Sequence, residues 1–560
     1  MKTSITLSPT RRFIVKAPTW EINACRSIPS RRYVSLRSEW IAPVTRLNSA
    51  HLLRVFPVSS CVWSDEALSA ANESVSPRER VRDPFPHWYK YVQPPFDHQR
   101  TALDRAWSAS SFAFFMEMGT GKTKTTIDLV CAKAMDGQIE AALIVAPLSM
   151  ILGWRDEIKK QSPIKATISR LRSSKKATEW KIEEGVQLDS GFTFYLANIE
   201  GFSIGSLAKV AASATAGKRF AMVVDESTYI KNHETARTKS CIRIGQQAKA
   251  RYILSGLPVL KGALDLYAQM QFLDPDIVGV GDFYCYRNRY AVMGGYENRE
   301  VLGYQNLEEL ASLIAPHAFQ ITKKEALTLP DKVYKTVRVE LTAPQLQQIK
   351  LLKSGLVGNR DQSRSVKNVL EKVLRIQQVS SGLSLALNAD DRVIATPVAD
   401  NPKMHALRDI MTGFDGKAIV WCSFVPEVHA VALLLDQLGI SYVKHTGEDA
   451  SIEHRQTAIN EFQHGEPRVF IATVQSGGIA ITLTAATLVV YISNSWSLQA
   501  RAQSEDRAHR IGQTNKVTYI DLIADGSVDD LVRTALTEKR DLAEHIRLLI
   551  NEGLPILGVD

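Results

Sequence analysis

Met116-Glu117-Met118-Gly119-Thr120-Gly121-Lys122-Thr123-Lys124-Thr125-Thr126 is the stretch whose reading decides the fold of this 560-residue chain. It follows an apolar run, Phe112-Ala-Phe-Phe115, and leads into Ile127-Asp-Leu-Val-Cys-Ala-Lys-Ala134. That succession reads as a buried strand, a glycine-containing loop and a helix. Such a loop turns successive backbone N–H groups inward and the helix N-terminus adds partial positive charge, so Met118, Gly119, Thr120 and Gly121 form a cradle for phosphate. Lys122 can then reach the β- and γ-phosphates of a nucleotide, and the Thr123 hydroxyl can bind Mg²⁺. The full pattern G-x-x-x-x-G-K-[ST] asks for Gly at 116, where this chain has Met; the Gly119-x-Gly121-Lys-Thr core is intact.

The flanking sequence supplies partners for that loop. Upstream, Phe96-Asp97-His98-Gln99-Arg100 opens a helix through Trp107, and the Gln99 amide offers both a donor and an acceptor, which suits an adenine edge. Downstream, Ala141 to Ala146 is a strand, Pro147-Leu148-Ser149 a loop, and a helix carries Trp154 and Glu157. Phe192 to Asn198 is a further strand, and the basic run from Ser169 to Lys181 a surface excursion. Arg219-Phe-Ala-Met-Val-Val-Asp225-Glu226-Ser227-Thr228 is an apolar strand ending in adjacent carboxylates. Asp225 can hold Mg²⁺ and Glu226 can polarise the attacking water. Ile253-Leu-Ser255-Gly256-Leu257-Pro258 is the next strand and loop.

From about residue 400 the alternation repeats: strands at 417–422, 441–446 (to Thr446), 469–473 (to Thr473) and 488–492, a helix at 428–438, and a loop through Gly477-Gly478. Strand–helix alternation means two doubly wound parallel-sheet lobes, an α/β fold. Gln503-Ser-Glu-Asp506-Arg507-Ala-His-Arg510-Ile-Gly-Gln513 follows; Arg507 and Arg510, three apart, share a face if helical. Cations placed in advance stabilise charge developing on the γ-phosphate. Residues 276–398 read as a helical insertion and bridge, with one long helical pattern from 343 to 387.

Charge is unevenly placed. Residues 1–60 hold ten Lys/Arg against two Glu, whereas the remainder holds 58 basic and 57 acidic side chains. A basic module on a near-neutral body points to a polyanion partner. Within it, Ile28-Pro-Ser-Arg31-Arg32-Tyr33 and Glu39-Trp40-Ile-Ala-Pro43 set two aromatics among arginines, able to stack on bases and hold phosphates. The bland alternative makes Tyr33 and Trp40 core of a small α/β domain. Residues 61–95 read as a linker, 96–275 as the first lobe, 399–545 as the second and 546–560 as a tail. Length suggests three or four domains. No apolar run reaches membrane-spanning length and no secretory h-region is present. Six scattered cysteines suit a reducing compartment.

Residues 96 to about 540 resemble the Swi/Snf-type branch of superfamily-two helicases. Gln503–Gln513 agrees with that family's Q-x-E-D-R-x-H-R-x-G-Q at every defined position, and Met116–Thr123 is close to D-E-M-G-L-G-K-T. Thr228 stands where the family has His, and Leu257 where it has Thr. The N-terminal run is similar to the HARP-type module of annealing helicases, with Ser30 for Gly and Tyr33 for Trp. The resemblance implies an ATP- and Mg²⁺-dependent translocase on double-stranded or branched DNA. It makes Lys122, Asp225, Glu226, Gln503, Arg507 and Arg510 catalytic. Gln99, Met118–Thr123, Gly478 and Asp506 fall on nucleotide. Pro147, Leu148, Ser149, Thr446 and Thr473 fall on nucleic acid, with Arg31, Arg32, Tyr33 and Trp40 from the basic module. A monomeric bacterial or phage-encoded motor of the cytoplasm or nucleoid suits these features. The competing readings are a motor on RNA or RNA polymerase, and a nucleic-acid-binding scaffold with an inactive ATP site.

Overall fold

The structure is a computed structural model. It describes the chain apart from residues 1, 11, 27, 29, 30, 36, 37, 45, 76–82, 174, 175, 190, 257, 260, 261, 281, 296–299, 328, 358–365, 388–392, 447–451, 476–480 and 538–560. Two compact units result, one of Met1–Glu117 with Gly121–Ala326, the other of Met118–Thr120 with Leu327–Asp560.

The first unit opens with β1 (Ser4–Leu7), β2 (Arg12–Lys16), α1 (Ile22–Arg26), β3 (Arg32–Val34), β4 (Glu39–Pro43), α2 (Arg46–Val55), β5 (Val62–Trp63) and α3 (Asp65–Val75). Its sheet order is β3-β4-β2-β1-β5. Alternation along β2 buries Phe13 and Val15 with Ile5, Leu52 and Phe56 in one small core. The expected linker 61–95 is corrected at both ends. β5 pairs in parallel with β1, α3 packs on α2, and Phe85 and Tyr89 are buried in the core of the next sheet.

That sheet is built from α4 (Asp97–Trp107), β6 (Ser111–Met116), α5 (Lys122–Met135), β7 (Ala141–Ala146), α6 (Ile151–Gln161), β8 (Ala166–Arg170), β9 (Thr178–Ile182), β10 (Thr193–Asn198), α7 (Ser206–Thr215), β11 (Phe220–Asp225), α8 (Ala236–Gly245), β12 (Ala250–Leu254), α9 (Leu266–Leu273), α10 (Phe283–Tyr290), β13 (Ala291–Gly294), β14 (Glu300–Tyr304), α11 (Leu307–Ile314), β15 (Ala318–Ile321) and α12 (Lys323–Ala326). The order is β15-β6-β12-β11-β7-β10-β8-β9. All neighbours are parallel except β9, which runs antiparallel to β8, so the basic excursion is the hairpin that closes this edge. Leu143 and Val224 enter one apolar core while Ile144 and Val223 enter another. Helices therefore cover both faces, and the strands need the continuous apolar runs seen in the sequence.

The second unit comprises β16 (Lys332–Val339), α13 (Ala343–Val357), α14 (Val366–Ser380), β17 (Leu383–Leu387), β18 (Val393–Pro397), α15 (Pro402–Thr412), β19 (Ala418–Cys422), α16 (Val425–Leu438), β20 (Tyr442–His445), α17 (Ile452–His464), β21 (Val469–Thr473), β22 (Leu488–Tyr491), α18 (Leu498–Glu505), β23 (Val517–Ala524) and α19 (Val528–Thr537). Its six-stranded sheet, β16-β23-β22-β19-β21-β20, is parallel throughout.

The expected insertion at 276–398 is not one helical body. β15 extends the first sheet beside β6, and β16 extends the second beside β23. The long helical pattern from 343 ends at Ser380, and Leu383–Leu387 pairs with Val393–Pro397 as a hairpin. Among the described residues no helix is long and apolar enough to cross a membrane.

Candidate functional site

The order β6-β12-β11 brings the C-terminal ends of two chemically loaded strands close together. β6 delivers the glycine loop, with Gly119 at φ 79° and Gly121 at φ 91°, left-handed values that glycine reaches without strain. α5 starts at Lys122, so its first N–H groups face the loop. Lys122 Nζ donates to the carbonyl of Met116 at 2.8 Å and to that of Glu117 at 3.4 Å. The hydroxyls of Thr125 and Thr126 bond back to Gly121 and Lys122 carbonyls, whereas the Thr123 hydroxyl makes no hydrogen bond among the described residues. Glu117 is held elsewhere, its carboxylate accepting from the Lys323 N–H at 2.7 Å.

β11 delivers Asp225, 2% exposed. One of its oxygens accepts from Trp154 Nε1 at 2.8 Å, the other from the Glu226 N–H at 2.9 Å. Burial pushes the Asp225 carboxyl up; the Lys122 charge and those two bonds oppose the rise. Glu226 stands at φ 49°, a left-handed conformation that costs a non-glycine residue about 1–3 kcal/mol and marks functional strain. Trp154 and its bond to Asp225 were not assigned from sequence; they lie 71 residues apart.

Gln99 is buried and its Oε1 caps α4 by accepting from the Phe96 N–H at 3.1 Å. Its Nε2 lies 2.0 Å from where a Cβ on Gly121 would be, so the amide packs directly on the phosphate loop. Pro147 to Ser149 follow β7, with Leu148 exposed and its N–H bonded to Glu200 Oε2 at 3.1 Å. These residues fit a triphosphate and its cation: left-handed glycines, a helix N-terminus, one lysine, a hydroxyl and a buried carboxylate.

In the second unit Arg507 and Arg510 do not lie on a helix. α18 stops at Glu505, and the arginines occupy the turn that follows, which ends at Gly512 with φ 98°. That turn is tied to the segment before β22. The Leu483 N–H donates to the Arg507 carbonyl at 2.9 Å, Arg510 donates to the Ile481 carbonyl at 3.4 Å, and Gln513 Nε2 lies 3.0 Å from the carbonyls of Thr484 and Ala486. α18 is fixed in turn by charge. Arg501 bonds Glu505 at 2.8 Å and Asp521 at 2.5 Å with its guanidinium 3.7 Å above the Tyr491 ring, and Lys332 reaches Glu505 at 2.9 Å. Burial alone would raise the Glu505 carboxyl; Lys332 and Arg501 outweigh it and hold the group below the usual carboxylate range.

Gln503 is half-buried on α18, and Asp506 lies 3.8 Å from Lys332. Thr446 directly follows β20 and Thr473 ends β21; both are buried, at 5% and 7% exposed. Gly478 lies outside the described residues, as does Leu257.

In the N-terminal module β3 and β4 set Tyr33 opposite Trp40, ring centroids 4.7 Å apart. Tyr33 is 47% exposed, Arg31 sits 5.9 Å above the Trp40 ring, and Arg31 and Arg32 are exposed. Tyr33 is thus a surface residue, whereas Trp40 is half-buried and packs against the module's small core.

Comparison with known proteins gives the family of the chain. The SNF2-related domain model matches residues 97–384, just over half of the chain, and the helicase conserved C-terminal domain model matches residues 402–512. An uncharacterized ATP-dependent helicase of Mycoplasma genitalium is 25% identical over 76% of this chain and 39% of its own length. The DNA annealing helicase and endonuclease ZRANB3 of Bos taurus is 26% identical over 76% of this chain and 38% of its own. The ISWI chromatin-remodeling complex ATPase ISW2 of Saccharomyces cerevisiae is 26% identical over 78% and 39%. The chain thus spans about two fifths of the length of these relatives. With two parallel sheets, a glycine loop leading into α5, the Asp225-Glu226 carboxylate pair and the Gln503–Gln513 turn, the chain belongs to the SNF2-related family of helicase-type ATPases, with two RecA-like lobes.

Proposed function

We propose that the protein hydrolyses ATP to ADP and phosphate and uses the energy to move along, or remodel, duplex or branched DNA. The observation that carries this reading is the convergence of Lys122, Asp225 and Glu226 at the C-terminal ends of β6 and β11, with burial and a lysine acting on the same carboxylate.

Lys122 and the N–H groups of residues 119–122 bind and orient the phosphates; Gln99 contacts the base while bracing Gly121. Thr123 and Asp225 would hold Mg²⁺, which when bound would supply positive charge beside the phosphates. Glu226 accepts a proton from the attacking water and sets its direction. Arg507 and Arg510 stabilise charge in the transition state, with Gln503 and Asp506 beside them, an effect worth about 10³–10⁵ in rate. Pro147–Ser149, Thr446 and Thr473 line the DNA path. Arg31 and Arg32 hold phosphates while Tyr33 and Trp40 stack on exposed bases, which favours branched over plain duplex DNA. The protein acts as a monomer, and relatives in Mycoplasma fit a bacterial or phage-encoded motor at the nucleoid.

The test is the ATPase rate against single-stranded, duplex and forked DNA and RNA, in the parent and in Lys122→Ala and Glu226→Gln. Turnover should rise with duplex or forked DNA and vanish in both variants. Stimulation by RNA alone, or hydrolysis that survives both changes, overturns the reading.

A further inference from the structure

We infer that Gln269, outside every segment assigned to the site, is a positioning residue that ties the Asp225-Glu226 carboxylates to the loop after β12. The inference rests on the ATP site proposed above.

Gln269 lies on α9 and is fully buried. Its Oε1 accepts from the Ser227 hydroxyl at 2.6 Å. Its Nε2 donates to the Pro258 carbonyl at 2.8 Å and to the Asp265 carbonyl at 2.8 Å. Both amide hydrogens and the oxygen are therefore committed, on a side chain that is itself shielded from solvent. Leaving one such buried group unpaired is costly, so the three partners hold their places relative to one another.

Those partners belong to different functional segments. Ser227 directly follows Glu226, whose backbone is already held in a left-handed conformation. Pro258 lies in the loop that leaves the C-terminal end of β12, the strand between the phosphate-loop strand and the carboxylate strand. A second tie runs parallel to the first, from Lys231 to the Asp265 side chain at 3.6 Å. The neighbouring hydroxyl does not share this work: Thr228 Oγ1 is buried with no hydrogen-bond partner among the described residues. Movement of Asp225 and Glu226 when phosphate and cation arrive is thus passed through Ser227 and Gln269 to the Pro258 loop.

Hydrogen–deuterium exchange tests the tie in the full-length protein. Peptides covering residues 250–268 are followed with and without a non-hydrolysable ATP analogue and Mg²⁺, in the parent, Ser227→Ala, Gln269→Met and the double variant. Fluorescent-nucleotide binding and thermal melts run in parallel. In the parent, nucleotide should change exchange in this loop about fivefold or more. Each single variant should bind nucleotide and melt as a folded protein yet lose that response, and the double variant should lose no more than either. If Gln269→Met does not fold, Ser227→Ala carries the same expectation alone. A response that persists in the variants, or losses that multiply in the double variant, overturns the inference. So does a parent that binds nucleotide without any response in the loop. A parent that binds no nucleotide overturns the proposed ATP site as well, which separates the two failures.

Discussion

The Gln99 amide nitrogen occupies the space that a side chain on Gly121 would need, 2.0 Å from the position of its Cβ. Because Gln99 also caps its own helix through Phe96, it cannot swing aside without leaving an N–H unpaired. Gly121→Ala therefore meets two penalties, a clash and a φ of 91°. We expect it to lower stability by about 1–3 kcal/mol and to abolish nucleotide binding. Gln99→Ala in the same chain should relieve the clash and leave the backbone strain, so thermal melts should recover in part and nucleotide titrations should not return to the parent.

Trp154→Phe keeps the bulk of the ring and removes one donor from the buried Asp225 carboxylate. Hydrogen bonds to charged groups contribute about 1.5–3 kcal/mol. Losing one raises the Asp225 pKa further in the direction burial already drives it. The sign follows: the ionised form needed to hold a cation is reached only at higher pH. The acid limb of ATPase activity should move upward in pH, with the alkaline limb unchanged. An unmoved acid limb would count against the role of Trp154.

Lys403 and Asp529 form a buried ion pair at 2.6 Å, and Lys403 also donates to the Ile492 carbonyl at 2.8 Å. The pair fastens α19 to the sheet of the second unit. Lys403→Met leaves an uncompensated carboxylate and should destabilise by about 3–5 kcal/mol in denaturant unfolding. Adding Asp529→Leu should restore much of that loss, since no lone charge then remains.

His51 on α2 is pushed down to about 4 by burial, then by the charges of Arg54 and Arg289, with Glu309 opposing. Its folded value lies below the ordinary 6.5, so its neutral form is the one the fold accommodates. Stability attached to it is full above pH 6.5 and falls as pH drops toward 4. His51→Gln should flatten the melting temperature over that window while leaving it unchanged at pH 8.

Tyr33→Ala should weaken binding to forked DNA by about 1–3 kcal/mol, the usual worth of one base–aromatic stack, with little change in salt dependence. Arg31→Ala with Arg32→Ala should instead flatten the slope of log affinity against log salt, because released counterions set it. Fluorescence anisotropy across a salt series separates the two effects.

The central strands β6, β7, β10, β11 and β12 of one sheet and β19 to β22 of the other were legible because buried parallel strands are short apolar runs between turn residues, as at Ala141–Ala146 and Val469–Thr473, whereas β8, β9, β15 and β23 were not named. β16 escaped assignment to a sheet because an edge strand alternates, with Lys335 and Arg338 among its residues, and its partner lies about 185 residues on. Arg507 and Arg510 were expected to share a helix face, but they occupy the turn after α18, and a spacing of three does not distinguish the two cases. Lys122, Asp225 and Glu226 carry local signatures. Trp154 and Gln269 do not, since only the folded chain brings each beside a carboxylate or hydroxyl many residues away.

The ionic girdle of Arg501, Glu505, Asp521 and Lys332 is mostly withdrawn from solvent, with Lys332 at its half-buried margin, so mobile ions screen it less than an exposed pair. Concentrated electrolyte that strips the protein from a polyanion should leave the arginine turn in register. Dissociation by brine would then be reversible on dilution, and release of a polyanion could be measured without unfolding the second unit.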